Sequence, residues 1–312
     1  MPAFTDVQSL LDDTRPQAVL ICTPHPLHAE PAIQAAEFGA HVLVEKPMAA
    51  TLADCDAMLA AAKRAGVHLG VISQRRLYEP VRRMKEAIDA GKIGRPILGV
   101  FEMFSWRDQA YYQSDPWRGR WDTEGGGVLV NQSPHMLDLL QWFLGEIDEI
   151  SGQWANLNHP FVEVEDTAVA LIRFKNGGLG SIVASLSQKP GLWTRIYVHG
   201  SNGASLGVET DRGATFVAGM SEVTEPPLND VWTIPGEEHR LAEFQAEDRA
   251  RFRQIDGTTH YHVLQIQDFL CSIRDNRPPL VTGEDGRLVV AMFTAIYRSQ
   301  QERRPIKFPP VA

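Results

Sequence analysis

Cysteine is scarce in this sequence. Only Cys22, Cys55 and Cys271 occur among 312 residues, and they lie far apart. An odd, scattered set predicts neither a disulfide framework nor a cysteine-based zinc site. The histidines also lack the His-x-x-x-His spacing of a helical metal site, so we expect no bound metal.

An excess of basic charge and long apolar runs are missing too. The chain has 30 Lys and Arg against 39 Asp and Glu, a net charge of -9, which argues against a nucleic-acid partner. No run approaches the ~18 apolar residues of a membrane-spanning helix, and the first residues show no export signal. We therefore expect a cytoplasmic protein with no membrane partner. Its 312 residues suffice for two domains with separate cores.

The first part of the chain alternates between short apolar runs and amphipathic segments. Strands are predicted at Ala18–Cys22, His41–Pro47 and Val67–Ile72, and helices at Leu27–Phe38 and Leu52–Ala65. Glycines at the ends of both helices fit the usual C-terminal stop. Alternation with short loops predicts βαβ units and a parallel sheet.

The pattern changes after Gln74. We predict a long loop over Arg107–Glu124 and one continuous apolar helix over Val128–Leu144, while residues 210–247 show no clear element. Period-two segments then predict one large, mostly antiparallel sheet. We expect an α/β domain over residues 1–74 and an α+β domain over residues 75–312. The period-two strands are Ile150–Ala155, Asp166–Phe174, Gly180–Ser187 and Arg195–His199.

Lys46 lies at the carboxyl end of the predicted His41–Pro47 strand. Ligands bind at the carboxyl ends of strands in open α/β sheets, so a functional lysine would be placed there. The pattern alone fits a solvated strand end equally well.

A second group of candidates follows the triple glycine Gly125–Gly127. Asn131, His135 and Asp138 are spaced four and three residues apart, which puts them on one face of the predicted helix. A histidine suits proton transfer near neutral pH. A packed core histidine is the alternative, but three polar groups in register beside a glycine loop favour a site.

Several motifs together resemble the glucose–fructose oxidoreductase, inositol dehydrogenase and rhizopine catabolism (Gfo/Idh/MocA) family of nicotinamide-dependent oxidoreductases. Each motif is weak alone, but their order and spacing over nearly the whole chain make the resemblance specific. The motifs are Ile21–Pro24 with His28, Glu45–Pro47, Trp117-Arg118, Gly125–Asp138, Gly283–Arg287 and Ala295–Ser299.

The resemblance implies a truncated Rossmann-like parallel sheet followed by a C-terminal domain with a large open sheet. It implies hydride transfer between NAD or NADP and a secondary alcohol of a sugar, cyclitol or cyclic diol. Lys46 would polarise the hydroxyl oxygen, and His135 would exchange its proton. Many members have an aspartate where this chain has Asn131, which cannot act as a base. Substrate binding would fall to Gln74, Arg118, Asn131 and Asp138, and cofactor binding to Thr23, Pro24, His28, Glu45, Lys46, Trp117 and Arg118.

The resemblance also implies self-association and a shared cleft. A homodimer or homotetramer would form through the C-terminal sheet. His260, Tyr261 and His262 would lie where the second domain reaches the cleft, although an ordinary helix start explains them as well.

The front of the chain departs from the family pattern. No Gly-x-Gly turn precedes Thr23, so the usual pyrophosphate-binding helix N-terminus is not found. One interpretation is that Met1 is a misplaced start and the natural protein is longer and active. The other is a truncated, non-catalytic oligomeric or sugar-binding relative. The intact Lys46 and His135 favour the first, and in either case Ala18–Cys22 should be an exposed strand edge.

Overall fold

The computed structural model describes residues 2–211, 215–217 and 220–310. The first part contains a three-stranded parallel sheet with the order β1-β2-β3, as the alternating pattern predicts. Its elements are α1 (Val7–Thr14), β1 (Ala18–Ile21), α2 (Ala29–Phe38), β2 (His41–Val44), α3 (Leu52–Ala65) and β3 (Leu69–Val71).

The rest of the chain builds a mixed sheet and the helices around it. The elements are α4 (Glu79–Asp89), β4 (Pro96–Phe104), α5 (Gln109–Gln113), α6 (Pro134–Leu144), β5 (Ile147–Ala155), β6 (Thr167–Phe174), β7 (Leu179–Ser185), β8 (Trp193–Gly200), β9 (Ser205–Thr210), β10 (Thr215–Val217), β11 (Met220–Glu222), β12 (Leu228–Trp232), α7 (Arg240–Phe252), α8 (His260–Arg274), α9 (Gly283–Glu302) and β13 (Ile306–Lys307).

The predicted large, mostly antiparallel sheet is confirmed. Eight strands lie in the order β12-β9-β8-β4-β7-β6-β5-β13. The pair β4–β7 is parallel, and the other neighbouring pairs are antiparallel. Strand β6 alternates buried and exposed residues along its length, so one face of the sheet lies against the core. The other face exposes Val169, Leu171 and Leu179, which are 45%, 67% and 50% accessible.

The predicted continuous helix over Val128–Leu144 is wrong. Residues Val128–Gln132 form one π turn, and α6 begins only at Pro134. Proline has no N–H to continue the preceding turn but suits the first position of a new helix. The same effect delays α2, where Pro24 and Pro26 enforce a 3₁₀ turn over His25–Leu27.

Two other segments differ from the sequence-based assignment. The predicted loop over Arg107–Glu124 contains the short helix α5, whose N-terminus is capped by Asp108. Residues 210–247, which carried no assignment, include β12 and the start of α7. Residues 212–214 and 218–219 within that stretch lie outside the described part.

Helix α9 joins the two sheets, because it packs against α3 and β3 on one side and against β5 and α6 on the other. Thr282 and Asp285 form a capping box at its N-terminus. A Cβ atom on Gly286 would lie 2.4 Å from Val71 Cγ2, so the helix approaches the parallel sheet as closely as glycine allows. One continuous helix therefore connects the parallel sheet to the large sheet.

Strand β1 lies at the edge of the parallel sheet and, among the described residues, pairs with β2 alone. Leu20 on this strand is 48% exposed, which confirms the predicted apolar edge. Within the described part of the chain, no helix combines the length and the apolar character needed to span a membrane.

Candidate active site

A cleft of about 650 Å³ opens where the carboxyl ends of β1 and β2 face the large sheet. The segments that follow β1 and β2 form one wall. The opposite wall comes from the segment after β3, the end of β4, the loop that contains α5, the π turn and the start of α8. Parts of the chain on both sides of Gln74 therefore contribute to one site.

Lys46 lies in the wall of this cleft. Its Nζ donates hydrogen bonds to the carbonyl oxygen of Asn131 at 2.8 Å and to Asn131 Oδ1 at 3.4 Å. Burial lowers the pKa of Lys46, and the neighbouring Glu45 carboxylate opposes that shift. The lysine side chain is thus desolvated and held in place by the π turn.

His135 lies in the first turn of α6 and is 8% exposed. Burial, followed by the positive charges of Arg75 and Lys46, holds the pKa of His135 well below 6.5. Its Nδ1 atom has no hydrogen-bond partner among the described residues. The imidazole is therefore neutral near pH 7 and able to accept a proton.

The triple glycine exists because the backbone of the π turn lies against other backbone. A Cβ atom on Gly127 would lie 1.9 Å from the carbonyl oxygen of Glu165. The Glu165 carboxylate accepts hydrogen bonds from Gly127 N at 2.8 Å, from Leu129 N at 3.0 Å and from the Tyr297 hydroxyl at 2.8 Å. Burial raises the pKa of Glu165 to about 7. This buried carboxylate fixes the start of the turn that carries Asn131.

A second buried carboxylate holds the other end of the turn. Glu124 is 1% exposed and accepts hydrogen bonds from Asn131 Nδ2 at 2.6 Å and from Gly119 N at 2.5 Å. Burial raises the pKa of Glu124, and its hydrogen bonds oppose that shift. The side chain of Asn131 therefore lies between Glu124 and Lys46.

The residues predicted to contact the cofactor lie mostly in the cleft wall. His28 is the exception, because it does not line the cleft. His28 is fully buried, and its ring nitrogens lie 2.7 Å from the Thr23 carbonyl oxygen and 3.0 Å from the Pro47 carbonyl oxygen. It ties together the two segments that follow β1 and β2. The predicted residues that line the cleft are Thr23, Pro24, Glu45, Lys46, Trp117 and Arg118.

Among the residues predicted to bind substrate, Gln74, Arg118 and Asn131 line the cleft. Asp138 does not, because its carboxylate accepts hydrogen bonds from the Arg76 guanidinium and from Ser73 Oγ. The π turn has a longer period than an α-helix, so it breaks the register that would have placed Asp138 beside Asn131. Asp138 instead borders a void of about 20 Å³ behind the cleft.

Of the three residues at the start of α8, Tyr261 and His262 line the cleft. The Tyr261 hydroxyl donates to Glu79 Oε2 at 2.7 Å. His260 is not part of the wall. Two of these three residues, the half-buried His262 and the anchored Tyr261, therefore contribute to the cleft wall.

Sequence reasoning missed several residues of the site. His25 lines the cleft, has no partner for Nε2 among the described residues, and packs edge-on against Trp117 at 5.1 Å between ring centroids. Burial lowers the pKa of His25 to about 2. Its position directly after Thr23-Pro24 was an available signal, whereas no pattern indicated the others. The other cleft residues missed are Arg75, Arg107, Tyr111 and Gln132, with Glu124 behind them.

Among the described residues, no group of three or more histidine, cysteine, aspartate or glutamate side chains is arranged to hold a metal ion.

The chain is similar to curated dehydrogenases over nearly its full length. It is 28% identical to myo-inositol 2-dehydrogenase of Thermotoga maritima over 315 residues, which covers 99% of this chain and 85% of that protein. It is 28% identical to scyllo-inositol 2-dehydrogenase (NAD(+)) of Bacillus subtilis over 310 residues, covering 97% of this chain and 80% of that protein.

A solved structure agrees with these similarities. The WlbA dehydrogenase from Bordetella pertussis, in complex with NADH and UDP-GlcNAcA, superposes with a TM-score of 0.82 at 29% identity, covering 99% of this chain and 84% of that one. Two family profiles also match. The oxidoreductase family with an NAD-binding Rossmann fold matches residues 1–73, and the GFO/IDH/MocA C-terminal domain matches residues 81–205. The chain therefore belongs to the Gfo/Idh/MocA family of NAD-dependent oxidoreductases.

Proposed function

We propose that this protein transfers hydride reversibly between NAD(P) and a secondary alcohol of a sugar, cyclitol or cyclic diol. The observation that carries the proposal is the joint placement of Lys46 and His135 in one cleft. Lys46 is a desolvated cation held by Asn131, and His135 is a neutral base with an unpartnered Nδ1. Oxidation of an alcohol needs a cation near the oxygen and an acceptor for its proton.

The cleft suits the nicotinamide end of a dinucleotide. It lies at the carboxyl ends of parallel strands, where such cofactors bind, and His25 Nε2 and Gln74 Oε1 are buried polar atoms there without partners among the described residues. Thr23, Pro24, Glu45, Trp117 and Arg118 would hold the cofactor. When bound, the dinucleotide supplies the hydride acceptor or donor.

Lys46 acts on the substrate oxygen. Its ammonium donates to the Asn131 backbone and side chain, which fixes the direction of the charge before substrate arrives. A fixed cation stabilises the negative charge that develops on the oxygen as the O–H bond breaks. Because burial lowers the pKa of Lys46, the ammonium also releases its proton more readily than an exposed lysine would.

His135 takes the hydroxyl proton. The low pKa keeps it neutral and therefore ready as a base. The same burial and the charges of Arg75 and Lys46 make the protonated ring unfavourable, so the proton that His135 takes up has to leave to bulk solvent before the next turnover. In the reduction direction the path is reversed.

The substrate class follows from the polar groups that remain. Gln74 Oε1 and Gln132 Oε1 have no partner among the described residues, and Arg118 lies beside them in the wall. Two unpartnered amide oxygens suit a ligand with several hydroxyl groups, because each hydroxyl group can donate a hydrogen bond. The inositol dehydrogenases that are similar to this chain are named for cyclitols. The similar WlbA dehydrogenase was crystallised with UDP-GlcNAcA, a nucleotide sugar.

Turnover of a substrate panel tests this proposal. The chain, Lys46→Ala and His135→Ala are assayed with cyclitols, sugars and dihydrodiols and with NAD and NADP, and NADH binding is followed by fluorescence. We expect both variants to lose at least about 100-fold in kcat, in line with the loss of a general base or an oxyanion-stabilising donor.

Lys63→Ala is the matched control, because Lys63 is an exposed lysine on α3 outside the cleft. It should keep the wild-type rate. Unchanged turnover in Lys46→Ala or His135→Ala would contradict the assignment. NADH binding without turnover of any panel member would instead support a binding protein.

We also propose the division of the chain into units of residues 1–74 and 75–312 and self-association through the outer face of the large sheet. The separate sheets support the division, although α9 connects them. The exposed apolar residues Val169, Leu171 and Leu179 support association, because single exposed apolar residues are common but a contiguous set on one sheet marks a contact surface.

A further inference from the structure

The side chain of Asn131 connects two charged groups that do not touch. Its Nδ2 atom lies 2.6 Å from Glu124 Oε1, and its Oδ1 atom lies 3.4 Å from Lys46 Nζ. Glu124 is 1% exposed and Asn131 is 8% exposed, so water does not replace either contact. The three residues form a continuous buried chain from a carboxylate to the cleft.

The charges of Glu124 and Lys46 fix the orientation of the Asn131 amide between them. An ionised carboxylate can only accept hydrogen bonds, so the amide must turn its NH₂ group towards Glu124. Its oxygen is then the atom that faces Lys46. If the amide turned over, an NH₂ group would point at an ammonium group and an oxygen at a carboxylate, and both contacts would be repulsive.

Glu124 is itself held in one position. Gly119 N donates to its second oxygen at 2.5 Å, so both oxygens of the carboxylate have a partner. Burial raises the pKa of Glu124, while its hydrogen bonds with Gly119 and Asn131 and the charges of Arg118 and Lys46 oppose that shift and favour the ionised form. A buried cation needs a compensating anion, and Glu45 and Glu124 are the carboxylates that favour the charged form of Lys46.

We propose that Glu124 is a positioning residue for Lys46. Glu124 acts through Asn131: it fixes the orientation of the Asn131 amide and supplies the negative charge that the neutral Asn131 lacks. The role of Lys46 in the reaction rests on the proposed function. The contacts that join Glu124, Asn131 and Lys46 do not rest on it, because the protein makes them without a bound ligand.

A purely structural role for Glu124 is the competing explanation. In that case its bond to Gly119 N holds the loop, and Lys46 is indifferent to the charge. The two explanations differ in what Lys46 experiences, so the test reads out Lys46 directly and needs neither substrate nor turnover.

The readout is the reactivity of Lys46 with acetic anhydride as a function of pH, followed by mass spectrometry with the exposed Lys63 as internal reference. In Glu124→Gln, the new amide oxygen can accept from Gly119 N only if its NH₂ group faces Asn131. That arrangement turns the Asn131 amide over and places its NH₂ group beside Lys46. We expect the pKa of Lys46 to fall and its labelling at a fixed pH near 8 to rise severalfold.

Moving the negative charge from position 124 to position 131 gives the decisive variant. In the double substitution Glu124→Gln with Asn131→Asp, the glutamine can donate to the new carboxylate, whose other oxygen faces Lys46. Labelling should return to the wild-type rate or below. Asn131→Asp alone places two carboxylates 2.6 Å apart, where the wild type has a hydrogen bond, and should be less stable than the double variant.

Asp122→Asn is the matched control, because it removes a carboxylate from the same loop. The Asp122 side chain is 64% exposed and pairs with Arg120. It should leave Lys46 labelling unchanged. A Glu124→Gln protein that is folded and labels Lys46 like the wild type would overturn the proposal. So would a double variant that behaves as the sum of its single substitutions.

Asn131→Ala keeps the inference testable if Glu124→Gln does not fold, because it leaves the Glu124–Gly119 bond in place. It should increase Lys46 labelling in the same way, and an unchanged pH profile of Lys46 labelling would again overturn the proposal. These results are independent of the proposed function. Full turnover in Lys46→Ala would end the catalytic assignment while leaving the labelling pattern as it is.

Discussion

Asp138 and Arg76 form an ion pair that is buried behind the cleft. The guanidinium donates to both carboxylate oxygens, at 2.8 Å and 2.5 Å, and both side chains are at most 3% exposed. The pair connects the segment after β3 to the helix that carries His135. Asp138 thus supports the site from behind.

Asp138→Asn should destabilise the protein by about 3 kcal/mol, because the Arg76 charge stays buried with one carboxylate neighbour among the described residues, Asp285 at 3.3 Å, beside the Leu280 carbonyl oxygen at 3.2 Å. The free energy of unfolding from urea titration checks this. Asp148→Asn, which removes a partly exposed carboxylate paired with Lys307, should cost less than about 1 kcal/mol. Equal costs for the two variants would show that the buried pair contributes nothing.

The fold could largely be predicted from the sequence because its strands and helices differ in period. The apolar runs at β1 and β2 are bounded by prolines, and period two marks β6 and β7. The parallel pairing of β4 with β7 could not be predicted. Their paired residues, such as Leu98 and Leu179, lie about 80 positions apart, and strand period does not record which strand is the neighbour.

The site could be predicted only in part. Lys46 and His135 belong to motifs with fixed spacing, and both lie in the cleft. Asp138 was misplaced because helical spacing assumes an unbroken α-helix, and the π turn before Pro134 changes the phase. Glu124 was missed because its importance comes from burial and from its contact with Asn131, neither of which a loop sequence reveals.

Gly127→Ala should disrupt the π turn, because its Cβ atom would lie 1.9 Å from the Glu165 carbonyl oxygen. The atom that the Cβ would meet belongs to the backbone, which cannot move aside as the end of a flexible side chain can. We expect a loss of more than about 3 kcal/mol in the free energy of unfolding, beyond what overpacking of side chains usually costs.

Gly66→Ala is the complementary control, since Gly66 lies in the left-handed region with a φ of 68° and has no atom within 4 Å of its Cβ position. It should cost about 1 kcal/mol from the dihedral angle alone. If Gly127→Ala were as mild as Gly66→Ala, close backbone approach would not explain the triple glycine.

His135 and His25 should remain neutral when ordinary histidines become protonated. Their pKa values are lowered, well below 6.5 for His135 and to about 2 for His25, first of all by burial. The imidazole C–H resonances of both residues, assigned with His135→Ala and His25→Ala, should not shift as the pH passes through 6.5. A titration centred there would show that His135 is solvated and would remove the basis for its low pKa.

The outer face of the large sheet should mediate self-association. Leu171→Asp places a charge at a residue that is 67% exposed in the single chain and would be buried in a dimer. Light scattering after gel filtration should show a lower mass for this variant than for the wild type. Leu270→Asp, at a leucine of α8 that is 52% exposed, is the control and should keep the wild-type mass. Identical masses for the wild type and Leu171→Asp would contradict the proposed interface.

Glu165 should make stability depend on pH in a direction unusual for a carboxylate. Its pKa is raised from 4.5 to about 7 by burial, so the folded state holds a proton that the unfolded state has lost between these values. The contribution is therefore fully present below pH 4.5, declines as the pH rises, and is gone above pH 7. The raised pKa corresponds to about 3 kcal/mol at ~1.4 kcal/mol per unit.

Glu165→Gln removes this titration and leaves the other groups in place. The free energy of unfolding of the wild type minus that of the variant should fall by about 3 kcal/mol as the pH rises through the window from 4.5 to 7. Tyr297→Phe removes one donor to the carboxylate and should raise the pKa of Glu165 further, which moves the upper end of the decline to higher pH. Parallel stability curves for the wild type and Glu165→Gln would show that the carboxylate under the π turn is hydrated. The turn that presents Asn131 to Lys46 would then need another support.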